Sequence, residues 1–166
     1  MITLYLKRYY GTPNITKSKL VVENGEGKVL MECEAREGRY RDYDRKEKVA
    51  GSASSCIGRG EYQLVTDHCP GNPMCLRIYG DKRRRGFYIM VGDDEKEQFS
   101  LNRLQIGRGS LSEPMYRRIC DFAAVKEEFQ QMLYANCLEE FRLVVSNEEI
   151  HPSPPREGGS CHPDGF

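Results

Sequence analysis

Thiol and imidazole are the reactive side chains of this sequence, and their spacing limits the chemistry they can be assigned. His68-Cys69 is followed by Cys75, and Cys161-His162 lies near the C-terminus. A cysteine nucleophile needs a basic partner, which folding rather than sequence brings close. Cys56 or Cys69 with His68, His151 or His162 is therefore one reading. Adjacent residues of an extended chain point to opposite faces, which works against His68 serving Cys69. Thiolate and imidazole are also the ligands zinc prefers, and His68, Cys69 and Cys75, joined by Cys161 and His162, offer enough donors for a tetrahedron. The spacing lacks a paired Cys-x-x-Cys signature. An inert turn cysteine beside a surface histidine accounts for the same residues, and the sequence implies neither a metal nor a cofactor.

A second kind of chemistry is anion binding. Lys82, Arg83, Arg84 and Arg85 form a basic run that Arg59, Arg77 and Tyr79 could assist in holding a phosphate backbone. Four basic residues at a hairpin tip are more often a solvated turn. Gly107-Arg108-Gly109-Ser110 precedes a helical pattern and could present backbone N–H groups to an anion. It lacks the lysine and the buried strand of a phosphate loop, so a flexible connection suffices.

Composition bounds these options. The chain has 166 residues, the size of one domain, and its 25 basic and 25 acidic residues cancel. No global field recruits nucleic acid or an anionic membrane. No apolar run approaches the roughly 18 residues of a membrane-spanning helix, and the alternating N-terminal residues do not resemble an export signal. The expectation is a soluble, cytoplasmic protein. Seven cysteines, an odd number irregularly spaced, fit reduced thiols better than a disulfide framework. Cys33, Cys120 and Cys137 stand in apolar surroundings where a thiol packs as a small hydrophobe.

The elements that would position these residues are mostly strands. Ile2, Leu4 and Leu6 alternate with polar neighbours over residues 2–10, and Gly11-Thr12-Pro13-Asn14 ends that run. Residues 18–23 and 28–35 flank Asn24-Gly25-Glu26-Gly27, whose glycines permit a hairpin turn. The mixed charge of residues 36–55 predicts a long solvated loop, with Tyr40 and Tyr43 able to dock it. Strand patterns return at 59–66, 75–79, 86–91 and 103–106. Ser112, Glu113 and Pro114 suit a helix start, and Met115, Ile119, Phe122, Phe129, Met132 and Leu133 recur at helical spacing as far as Asn136. Lys126, Glu127, Glu128, Gln130 and Gln131 would face water. A final strand spans 140–146, and residues 147–166 have the composition of a flexible Pro/Gly-rich tail. These patterns predict one mainly β (α+β) domain over residues 1–146: a β-sandwich or barrel-like sheet with one C-terminal amphipathic helix and a closing strand.

The stretch from Lys48 to Leu64, Lys-Val-Ala-Gly-Ser-Ala-Ser-Ser-Cys-Ile-Gly-Arg-Gly-Glu-Tyr-Gln-Leu, resembles the entry to an uncharacterised domain family of phage and Bacteroidetes genomes. That family carries a small polar cluster, an Ile-Pro-x-Gly-x-Tyr turn and then a strand. Ile57, Gly60 and Tyr62 match, and Gly58 replaces the proline. The preceding hairpin, ending Met31-Glu32-Cys33-Glu34, also resembles the family, which covers residues 18–107. The family more distantly resembles the L,D-transpeptidase domain of cell-wall enzymes, which uses a cysteine nucleophile and a histidine base. The resemblance places Met90 at the histidine position and Arg103 at the cysteine position. A thioether takes up no proton at neutral pH and a guanidinium is no nucleophile, so the resemblance implies a degenerate site.

The reading that follows is a non-catalytic binding or structural accessory domain. It would recognise a protein or a cell-wall fragment, in a phage, mobile-element or secretion-apparatus context. A cysteine-dependent peptidoglycan peptidase or transpeptidase using Cys56 or Cys69 is the alternative, and a nucleic-acid accessory protein the third. Phe99 and Phe166 are candidate contact points.

Overall fold

The computed structural model describes residues 1–13, 15–45, 56–69, 72–79, 88–91, 103–107 and 122–147. Eight strands carry the fold: β1 (Ile2–Gly11), β2 (Thr16–Glu23), β3 (Val29–Glu37), β4 (Gly60–Cys69), β5 (Asn72–Ile78), β6 (Tyr88–Val91), β7 (Arg103–Gly107) and β8 (Phe141–Ser146). Among the described residues one helix, α1 (Phe122–Ala135), precedes β8. The pairing order β1-β2-β3-β7-β6-β5-β4-β8 returns to β1, so the sheet closes into a barrel. Closure gives every strand two neighbours and removes the exposed edges that would template aggregation.

Most neighbours are antiparallel, but β8 runs parallel to β1, as β6 does to β7. The wall is unequal. β1 pairs with β2 over most of its length, whereas β5 meets β6 only through Leu76↔Ile89 and Arg77↔Tyr88, and β3 meets β7 only at Glu34, Ala35 and Arg36. Helix α1 packs on that thin side, against β3, β5, β6 and β7.

The period-2 pattern of the strands decides what fills the interior. Ile2, Leu4 and Leu6 of β1, Leu20 and Val22 of β2, Met31, Cys33 and Ala35 of β3, and Leu143 and Val145 of β8 are all buried in one cluster. Val125, Phe129, Met132 and Leu133 of α1 join it at i, i+4, i+7 and i+8 spacing. The β2–β3 turn is tied by Asn24, whose Oδ1 accepts the N–H groups of Glu26 and Lys28 at 2.9 and 3.0 Å. Gly27 takes φ +83° there, a conformation that suits glycine.

Several expectations are refined. Strand β3 runs on to Glu37, so the charged stretch starts as strand, and Arg36 and Glu37 are buried rather than solvated. Gln130 does not simply face water: its Nε2 donates to the Met74 carbonyl of β5 at 2.6 Å. Cys33 is buried in the core outside any disulfide, but Cys137 lies just beyond α1 and is exposed. Its apolar neighbours in sequence do not cover it, because the turn after the helix carries Leu138 outward, 97% exposed. The predicted helix start at Ser112, with Met115 and Ile119, lies outside the described residues, as do Cys120, Cys161, Phe99 and Phe166. No helix among the described residues is long and apolar enough to cross a membrane.

Phe129 is fully buried between α1 and the barrel. Phe129→Ala is expected to cost about 3–5 kcal/mol in denaturant unfolding followed by circular dichroism. A single transition for both helix and sheet signals would show that α1 and the barrel unfold together; a separate helical phase would show otherwise.

Candidate functional site

The polar residues of the barrel gather at one end. Residue 8 shares the inward parity of Ile2, Leu4 and Leu6, and residue 37 that of Met31, Cys33 and Ala35, so β1 and β3 each deliver a charge into the interior. Arg8 is 0% exposed and Glu37 1%. The guanidinium grips the carboxylate through Nε to Oε1 at 3.1 Å and Nη2 to Oε1 and Oε2, each at 3.0 Å. A β-bulge follows Arg8, where the β1–β2 register shifts between Arg8↔Ser18 and Tyr10↔Lys17.

This pair also holds a length of backbone that belongs to no strand. Arg8 Nη2 donates to the Ile57 carbonyl at 2.6 Å, and the Ile57 N–H donates to Glu37 Oε2 at 3.1 Å. The two side chains thus supply the donor and acceptor that a neighbouring strand would otherwise provide. Ile57 is buried in the core cluster as a result. Arg8 Nη1 donates to Asn147 Oδ1 at 3.3 Å, so the first residue of the Pro/Gly-rich stretch is tied to the barrel. Burial opposes the Arg8 charge, but Glu37, with smaller help from Cys56 and Tyr62, outweighs it, and the guanidinium pKa is raised above its ordinary value.

Residues 39–45 fold over this end and are anchored at several points. Tyr43 is buried, and its hydroxyl donates to the Cys56 carbonyl at 2.8 Å. The Arg45 N–H donates to the Arg59 carbonyl at 2.9 Å, the Arg59 N–H to the Tyr43 carbonyl at 2.7 Å, and the Cys56 N–H to the Arg39 carbonyl at 2.9 Å. Arg59 Nε donates to Asp42 Oδ1 at 2.7 Å, and the same oxygen accepts Asn147 Nδ2 at 2.8 Å. The Tyr62 hydroxyl donates to the Gly58 carbonyl at 2.6 Å, and its ring lies under the Arg45 guanidinium, 4.6 Å from the centroid. A Cβ at Gly58 would stand 2.7 Å from the Arg45 nitrogen, so no larger residue fits between the two segments without moving backbone. Glycine at the position where the resemblance expects proline has, in this chain, a steric reason.

Cys56, the candidate nucleophile whose side chain the structure describes, is 1% exposed. Its Sγ accepts the Arg41 N–H at 3.4 Å and donates to the Arg41 carbonyl at 3.3 Å. Burial pushes the thiol above its ordinary 9.0, and the Arg8 charge only partly counters that. A poised nucleophile has the opposite setting, a lowered pKa and access to solvent. His68 is exposed near the far end of β4. Eight residues of strand separate it from Gly60, about 26 Å at 3.3 Å per residue. The structure therefore does not bring Cys56 and His68 together. Asp67, next to His68, is held below the usual carboxylate range by the His68 backbone N–H and then by Arg77, whose Nε donates to it at 2.8 Å.

The other sequence candidates fall elsewhere. Cys69 pairs with Asn72 and Asp67 with Cys75 in the β4–β5 register, and Cys75 is buried and disulfide-bonded. A sulfur so bonded offers no thiolate to a metal, and it is not the reduced thiol expected from the odd number and irregular spacing of the cysteines. Among the described residues no three His, Cys, Asp or Glu side chains are grouped to hold a metal ion. Met90 lies beside Gln105 and Arg103 beside Tyr88 in the parallel β6–β7 pair, so the two positions stand on adjoining strands but are offset by two residues in register. Lys82, Arg83, Arg84, Arg85, His151, Cys161 and His162 lie outside the described residues. Arg8 and Glu37, which organise the whole end, were not among the candidates. Strand parity was the signal that could have found them.

No protein-family model, curated protein or solved structure matches the chain.

Two measurements test this site. Arg8→Met and Glu37→Leu are each expected to cost about 3–5 kcal/mol, because each leaves a buried charge uncompensated. The double variant should cost less than the sum, with a coupling on the order of 2 kcal/mol in a denaturant double-mutant cycle; additivity would mean the pair does not act as a unit. In folded protein at pH 8, iodoacetamide should modify Cys137 more than about tenfold faster than Cys56, read by peptide mass spectrometry. The sign of the pH effect follows from the raised thiol. Its contribution to stability is fully present below pH 9 and is lost as pH rises through the native value, so Cys56→Ser should show a shallower alkaline loss than the wild type.

Proposed function

We propose that this chain is a non-catalytic binding module that recognises another protein or a cell-wall fragment. The observation that carries the proposal is the setting of Cys56. Its sulfur is buried, hydrogen-bonded in both directions to the backbone of Arg41, and held as a thiol above its ordinary pKa. Thiol catalysis needs a thiolate that substrate can reach, with a base beside it. Here the thiol is used to hold a loop, and the polar groups around it are used in the same way. Arg8 and Glu37 bind Ile57, and Tyr43 binds Cys56. The resemblance of residues 48–64 to a family that distantly resembles the L,D-transpeptidase domain, with Met90 and Arg103 of this chain at its histidine and cysteine positions, supports the same reading and suggests a phage, mobile-element or secretion-apparatus context.

The barrel provides the rest of the argument. An eight-stranded barrel has an interior that side chains can just fill, and here the cluster from Ile2 to Val145 occupies it. Recognition would then take place on the outer surface or at the rims, where loops meet solvent.

Incubating the purified protein with bacterial peptidoglycan and reading muropeptides by mass spectrometry tests the proposal, with an alkylated sample as control. The expected outcome is no released or rearranged muropeptide. Turnover that is abolished by alkylation would replace the proposal with a cysteine-dependent peptidase or transpeptidase.

A further inference from the structure

Cys75 differs from Cys33, Cys56 and Cys137. Those three stand outside any disulfide, whereas Cys75 is disulfide-bonded, so its second sulfur belongs to none of them. Disulfides persist in oxidising surroundings and are rare where glutathione keeps thiols reduced. The bond therefore ties this state of the chain to an oxidising compartment.

The position of Cys75 decides what the bond holds. Met74, Leu76 and Ile78 of β5 pack in or against the core, so Cys75 and Arg77 alternate onto the opposite face. Asp67 of β4 stands across from Cys75, and Arg77 Nε donates to its carboxylate at 2.8 Å. A side chain on the outer face of a barrel wall ordinarily meets solvent, yet Cys75 is 0% exposed. The wall is also thin here. Among the described residues β5 pairs with β6 at Leu76↔Ile89 and Arg77↔Tyr88, and its register with β4 breaks between Asp67 and Cys69. Helix α1 reaches the same stretch through Gln130, which donates to the Met74 carbonyl at 2.6 Å. A covalent bond at Cys75 fixes β5 where backbone pairing is sparse.

We propose that the Cys75 disulfide is a maturation step: it closes when the chain reaches an oxidising compartment, and it locks β5 into the barrel wall there. Two cysteine thiols lose two protons and two electrons as their S–S bond forms, and a small-molecule disulfide such as oxidised glutathione takes these up as its own S–S bond is cut into two thiols. Cys33 packs inside the barrel, on the other side of the wall, and the Cys56 sulfur is bonded to the Arg41 backbone, so neither competes for the bond. The bacterial periplasm is an oxidising compartment, and it adjoins the cell wall. The bond thus favours a cell-wall fragment over a cytoplasmic protein as the ligand, an extension that rests on the binding-module reading.

The test uses the full chain, first reduced, then held in glutathione buffers set to the poise of a cytoplasm or of an oxidising compartment. Each sample is alkylated in denaturant and digested without reduction for mass spectrometry. The expected result in the oxidising buffer is Cys75 joined to Cys69, Cys120 or Cys161, with Cys33, Cys56 and Cys137 alkylated; in the reducing buffer Cys75 is alkylated too. The oxidised chain should melt roughly 5–15 °C above the reduced one, and amide exchange over residues 74–78 should slow. Cys75→Ser should abolish that redox-dependent difference and Cys137→Ser should keep it; should Cys75→Ser fail to fold, the comparison of oxidised with reduced wild type decides. A Cys75 that is still alkylated in the oxidising buffer, a bond to Cys33, Cys56 or Cys137, a bond formed equally in both buffers, or equal melting temperatures overturns the proposal and leaves the non-catalytic reading in place. Muropeptide turnover removes that reading instead and leaves the cross-link standing.

Discussion

The Arg8–Glu37 pair is the constraint on which one end of this barrel depends. Removing a guanidinium and a carboxylate from water costs several kcal/mol per ion, and their mutual attraction offsets this only when the geometry is close and the remaining donors and acceptors are satisfied. Both conditions are met. Three hydrogen bonds at 3.0 to 3.1 Å join the two groups. The leftover capacity goes to Ile57 and Asn147. One pair of side chains thereby connects β1, β3, the segment entering β4 and the residue after β8. Those four pieces are far apart in sequence, and no ladder of backbone hydrogen bonds joins all of them.

The chemistry of Cys56 follows from that arrangement. Once Ile57 is drawn into the barrel mouth, its neighbour Cys56 is buried with it. The sulfur then hydrogen-bonds to the backbone of the loop that lies above, at the Arg41 N–H and carbonyl. Burial that destabilises the thiolate makes the same atom useful as a neutral donor and acceptor. Gly58 completes the fit, since the loop passes too close for a side chain at that position. The segment from Cys56 to Gly58 works in this chain as a wedge between a buried ion pair and the loop of residues 39–45.

How much of this was legible varies with the range of the interaction. Local patterns read well. The alternation of Ile2, Leu4 and Leu6, the Asn24 to Gly27 turn, the helical spacing of Phe129, Met132 and Leu133, and the closing strand at 141–146 all correspond to observed elements. Arg8 is not singled out by the sequence, because a buried arginine has no local signature. Its parity with Leu6 pointed inward, but parity becomes persuasive only when a partner carboxylate is known to arrive from β3, 29 residues away. Gln130 and Cys137 were misjudged for a related reason. Helical spacing and apolar neighbours in sequence indicate a face, but not which strand or turn will lie against it.

The sequence by itself determined the class of the fold. Period-2 runs, turn residues and one period-3.6 segment are encoded within a few residues of each other, and they oblige the chain to form strands and a helix that bury one face. What only the tertiary structure decided was the closure of the sheet and the contents of its end. That β8 lies parallel to β1, that Arg8 meets Glu37, and that Cys56 is sealed beneath Arg41 depend on pairings between distant segments. The free energy of a buried charge or thiol is set by the groups that surround it in space. A linear pattern carries the identity of those groups but not their distances.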